Sequence, residues 1–111
     1  MKIKKTKIGV ISYIEPETPI ADEVVSQLRK AVDDCFKESE YKLVINFRSV
    51  PYIDSEGLET LLDILAEVRK KGGSIKLADP NTVCSDIFTA ARFDSLFEIY
   101  TSADKAGRSF L

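Results

Sequence analysis

Apolar and polar positions change their spacing several times along the chain, and each change marks a predicted element. Residues 2–7 alternate weakly and meet Gly9, and Val10 to Ile14 form a second candidate strand. The gap between them is short, so they are predicted to pair as a hairpin. Glu15-Pro16-Glu17-Thr18-Pro19 reads as a loop, because two prolines within four residues suit no ladder. Thr18 is the candidate cap of the next helix, with Pro19 in its first turn. From Ile20 to about Lys37 the apolar residues Val24, Val25, Leu28, Ala31, Val32, Cys35 and Phe36 recur at spacings of three and four, one buried helical face.

Leu43 to Phe47 is apolar except at Asn46, as in a central strand covered on both faces. A second helix is predicted from Gly57 or Leu58 to Lys71. Its stripe is Leu58, Leu61, Leu62, Leu65 and Val68, with Ile64 beside it, and Gly72-Gly73 stops it. Ile75 to Ala78 is a strand. Asn81 or Thr82 caps a short helix carrying Val83, Ile87, Phe88, Ala90 and Ala91. Phe97 to Tyr100 is a last strand, and Ser102 caps a final helix to about Arg108. The order β-β-α-β-α-β-α-β-α predicts an α/β fold with a mixed sheet: an antiparallel hairpin first, then parallel strands joined by crossovers.

A chain of 111 residues suits one domain, 1–111. The formal charge of −2 gives no support for nucleic-acid binding. Lys2, Lys4, Lys5 and Lys7 read as a solvated edge strand, where lysine blocks edge pairing. No stretch approaches the roughly 20 apolar residues of a membrane span, and no secretory signal opens the chain, so no membrane insertion and a cytoplasmic location are expected. The sequence has no histidine, which excludes zinc sites of the usual Cys/His kind. No metal site is predicted, and Cys35 falls on a helical apolar stripe as a buried thiol. With no Gly-rich phosphate loop, no cofactor is predicted.

The segment with most chemical content is residues 43–58, where the apolar strand runs through a short loop into Asp54-Ser55-Glu56-Gly57 at the mouth of a helix. Free N–H groups and a positive dipole there accommodate a phosphate on a serine hydroxyl. Asp54 and Ser55 are also preferred N-cap residues. A serine hydrolase would need a base beside Ser55 and a Gly-x-Ser-x-Gly elbow. The chain has neither histidine nor elbow, so no enzyme activity is expected.

The pattern resembles the STAS domain family, which includes bacterial anti-sigma factor antagonists and cytoplasmic domains of sulfate transporters. The resemblance rests on the apolar strand, Ser49-Val50, Tyr52, Ile53-Asp54-Ser55-x-Gly57-Leu58, then Gly72-Gly73, a strand, and Phe93-x-x-Leu96-Phe97-x-Ile99-Tyr100. It implies a mixed sheet with helices packed largely on one side. It also implies an antagonist that binds an anti-sigma factor serine kinase, is released when that kinase phosphorylates it, and is restored by a metal-dependent serine phosphatase. Carried over, Ser55 is the phosphorylation site, and Asp54, Ser55, Glu56, Gly57 and Leu58 form the partner-binding segment. Two departures stand out. Some antagonists carry the phosphorylated hydroxyl one residue later, where this chain has Glu56. The family's Gly-x-Leu/Ile-Asp element before the first helix is replaced by Glu15 to Ile20. The alternative implied is a scaffold or subunit of a stress-signalling or lipid-transport assembly.

Overall fold

The computed structural model describes residues 2–111. Its strands are β1 (Ile3–Ile8), β2 (Ile11–Pro16), β3 (Lys42–Asn46), β4 (Ser74–Ala78) and β5 (Glu98–Tyr100), and they form one sheet in chain order. β1 and β2 are antiparallel and the remaining pairs are parallel. The helices are α1 (Glu23–Lys37), α2 (Ser55–Lys70), α3 (Thr82–Ala90) and α4 (Ala103–Arg108), with a 3-10 turn at Phe93–Ser95. The element order and the mixed sheet agree with the reading of the sequence.

Side-chain alternation explains why β3 is apolar throughout. Leu43 and Ile45 join the large core beneath α1, α2 and α3, while Val44 packs on the other face with Ile11, Ala78 and Ala106 of α4. Three helices thus cover one face, and a six-residue helix covers the other. On that second face Lys76 is 5% exposed. Its ammonium donates to Ser109 Oγ at 2.5 Å and lies 4.1 Å from the centre of the Phe110 ring, with Glu98 Oε1 at 3.7 Å. Cys35 and Cys84 are free and buried, and burial pushes both thiols up. Among the described residues no helix is long and apolar enough to cross a membrane.

Four local expectations are corrected. β2 extends through Pro16, which pairs with Ile3. The Glu17 N–H points to Lys2 O, just before β1, so the proline nitrogen faces the other way, beyond the last β2–β3 pair, Ile14 with Ile45. A missing donor costs nothing there. α1 starts at Glu23 with Asp22 as its N-cap, so Thr18 does not cap it and Ile20 stands outside it. Ile20 is held instead in a parallel bridge to Ile53. On α2, Leu62 is exposed and Ile64 is fully buried, which rotates the predicted stripe. On α3, Val83 faces outward, leaving Cys84 and Phe88 as the buried positions.

Candidate functional site

The segment around Ser55 lies at the carboxyl ends of the parallel strands, and its approach is tightly fixed. Phe47 N–H donates to Ala78 O at 2.8 Å, one step beyond the strand, and Val50 N–H donates back to Phe47 O at 3.0 Å. Asn46, the polar exception in β3, accepts the Arg48 N–H on its side chain at 3.1 Å and so makes the turn. Glu15 accepts from the Arg48 guanidinium at 3.2 Å and from the Ser49 hydroxyl at 3.2 Å. Phe47 stacks edge-on against Phe88 with centroids 5.0 Å apart, which seats α3 beneath the loop.

Next comes the junction of two helix entries. Ile20 N–H donates to Tyr52 O at 3.0 Å, and Asp54 N–H donates to Ile20 O at 3.1 Å. Asp54 is extended (φ −92°, ψ 179°), and its Oδ1 accepts the Gly57 N–H at 2.8 Å. This is the N-cap bond that the residue types forecast. The Leu58 N–H goes to Asp54 O at 3.0 Å. Of the first four helical N–H groups, those of Ser55 and Glu56 are therefore left for solvent or a ligand. Gly57 is needed for packing. A Cβ there would lie 2.6 Å from Ile53 Cγ1 and 3.0 Å from Ile20 O, so only glycine lets the first turn of α2 sit on the Ile20–Ile53 bridge.

The five residues of the predicted segment divide by this geometry. Ser55 and Glu56 are exposed, Asp54 is half-buried as the cap, Gly57 is buried, and Leu58 is half-buried against the core. The Ser55 hydroxyl makes no hydrogen bond among the described residues. It sits at the first position of α2, among the acids Asp54, Glu56 and Glu59. An open groove of about 730 Å³ begins beside it at Asp22 and Glu56 and runs between α1 and α2. It narrows where Arg29 reaches Asp33 at 2.8 Å and Glu67 at 2.6 Å. Among the described residues no three of Cys, Asp or Glu are grouped to hold a metal ion.

Residues outside the predicted partner-binding segment complete this surface. Asn81, one of the two candidate caps of α3, caps it by accepting from Cys84 N–H at 2.8 Å, and its Nδ2 donates to Pro51 O at 3.2 Å. The Cys84 thiol points at Val50 O, 3.5 Å away. The start of α3 thus grips the loop that leads to Ser55. Tyr52, in that loop, and Val83, in the first turn of α3, are 46% and 52% exposed. The signal for Val83, counted with the apolar residues of α3 in the sequence, lies in the three-and-four spacing of Cys84, Ile87 and Phe88, which leaves it one position off the buried face.

The sequence model described as the STAS domain matches residues 2–106. Among solved structures, one described as a candidate anti-sigma factor antagonist from Thermotoga maritima superposes with a TM-score of 0.91. The two are 20% identical, over 96% of this chain and 92% of that one. The Bacillus cell fate determinant SpoIIAA in its phosphorylated form gives a TM-score of 0.77 at 14% identity, covering 98% of this chain and 99% of that one. A sulfate transporter family protein from Wolinella succinogenes gives 0.77 at 20% identity, covering 87% and 81%. These likenesses establish a shared fold.

Proposed function

This chain belongs to the STAS domain family, and from that premise we propose that it is a cytoplasmic anti-sigma factor antagonist switched off by phosphorylation of Ser55. Its partners are an anti-sigma factor serine kinase and a metal-dependent serine phosphatase, and it is no enzyme itself. The observation that carries the reading is the Ser55 hydroxyl, exposed at the first position of a rigidly capped helix beside two unused N–H groups. The fold shared with anti-sigma factor antagonists supports it.

The helix terminus stabilises a phosphate locally by roughly 0.3–1 kcal/mol, so phosphorylation leaves the domain folded. The switch acts at the interface. A group of about −1.5 to −2 charge between Asp54 and Glu56 would be buried against partner groups that fit a neutral hydroxyl. Unpaired burial costs several kcal/mol, and a loss of about 3 kcal/mol weakens binding more than a hundredfold. Glu56 holds one fixed charge at the neighbouring position, which leaves Ser55 as the acceptor.

The test is incubation with the candidate kinase and ATP, followed by mass spectrometry of the peptide spanning Ser55. The phosphate is expected on Ser55 and absent from Ser55→Ala. In calorimetry Ser55→Asp weakens kinase binding and Ser55→Ala preserves it. Unchanged affinity in both variants overturns the switch. The fold shared with a sulfate transporter family protein, together with the fixed charge of Glu56, favours a second reading as a non-switching scaffold subunit. Under that reading the kinase leaves Ser55 unmodified.

A further inference from the structure

We propose that the outer edge of β1, with the groove between it and α1, takes an acidic extended segment of a partner protein as an additional strand. β1 is the first strand of the sheet, with a neighbour on one side only. Lys2 O accepts from Glu17 N–H, so the even-numbered residues of β1 turn their backbone groups to β2. Ile3, Lys5 and Lys7 therefore present both N–H and C=O outward, a template for strand addition.

The side chains of the same three residues lie on the α1 face of the sheet. Ile3 and Lys5, with Gln27, Lys30, Ala31 and Asp34 of α1, line a groove of about 480 Å³ whose floor is apolar and whose rim is mostly lysine. Charge selects the occupant. Lys30 holds a largely exposed pair to Asp34 at 3.1 Å, which exchanges at little cost, while Lys7 is held at 3.0 Å by Glu40, a half-buried carboxylate that also accepts from the Ser12 hydroxyl. Lys5 has no carboxylate partner among the described residues. A second copy of β1 would set lysine against lysine, which is the protective use of such an edge. An acidic strand turns the same lysines into contacts.

Antiparallel addition sets the pattern. Residues opposite Lys7, Lys5 and Ile3 share their face, so the incoming segment reads acid-x-acid-x-apolar. The probe is the capped peptide acetyl-Ser-Glu-Thr-Glu-Thr-Val-Thr-amide, added to ¹⁵N-labelled protein and followed by NMR. The expected result is saturable shifts and slowed exchange at the amides of Ile3, Lys5 and Lys7, with the Ser55 amide unmoved. Lys5→Glu with Lys7→Glu weakens binding about tenfold or more, and Lys70→Glu on the exposed end of α2 does not. The proposal is overturned by equal binding of a peptide N-methylated at alternate residues, which marks attraction by charge alone. Equal binding of a peptide with lysine in place of glutamate overturns it, as does the absence of saturable shifts at this edge. Self-association with these amides already protected also overturns it.

Discussion

α1 and α2 enter the fold through neighbouring segments joined at the Ile20–Ile53 bridge, and both have aspartate at the N-cap. Asp54 is extended, and its carboxylate takes the Gly57 N–H. Asp22 sits at φ 53° and ψ −131° and makes no side-chain cap bond. That conformation belongs to glycine, and a non-glycine residue holding it costs of order 1–3 kcal/mol. Residue type alone therefore does not make a cap; the backbone angle at which the chain arrives decides. Ile20 is drawn into the bridge, α1 must then turn sharply, and the strain collects at Asp22. The entry to α2 arrives relaxed and holds Ser55 in one place.

Four measurements sharpen or break this contrast. The largest effect is expected for Gly57→Val, which drives a side chain into Ile53 and Ile20 O. Urea denaturation should show a loss of about 3 kcal/mol. A near-neutral result would mean that α2 is not pressed on the bridge. Asp54→Ala should cost about 1 kcal/mol by the same measurement, against almost nothing for Asp22→Ala. Equal costs would erase the difference between the two starts.

Asp22→Gly should raise stability by about 0.5 kcal/mol, because relief of the strained angle exceeds the added freedom of the unfolded glycine. Destabilisation would show that Asp22 makes contacts that matter more than its angle. The smallest effect concerns Glu23, in the first turn of α1. A hydrogen bond from its own backbone, and then Lys2, hold its carboxyl below the usual value. A depressed folded value stabilises above the unfolded one and is lost as pH falls through the folded one. Glu23→Gln should therefore lower the melting temperature slightly at neutral pH, and the difference should shrink as pH falls below the usual glutamate value. A difference that stays constant as pH falls would mean that the charge plays no part.

The same contrast explains what could be read from the chain. The strand Leu43 to Phe47, the Asp54 cap and the Gly72-Gly73 stop are local features, set by residues within a turn of one another, and the sequence displayed them. Ser55 and Glu56 stood out for the same reason. The start of α1 is not legible because Ile20 continues the helical spacing, while its actual partner, Ile53, lies far along the chain. Pro16 reads as a loop residue because a missing donor matters only where a neighbouring strand needs it, and pairing geometry is invisible in one strand alone. The grip of Asn81 on Pro51 was illegible for a similar reason. The cap role was foreseeable, but the second hydrogen bond depends on how two loops meet.

Lys76 has a consequence for how the chain is made. Its ammonium is carried on β4, yet Ser109 and Phe110, which close over it, come 33 and 34 positions later. During synthesis the face under α1, α2 and α3 can assemble while the opposite face still holds a wet lysine, with Val44 and Ala78 uncovered. That second face therefore cannot close until α4, Ser109 and Phe110 have been made. A chain cut before α4 would leave Lys76 with Glu98 as its ion partner but no cover, beside the exposed apolar surface of Val44 and Ala78, the kind of surface that folding helpers and proteases act on.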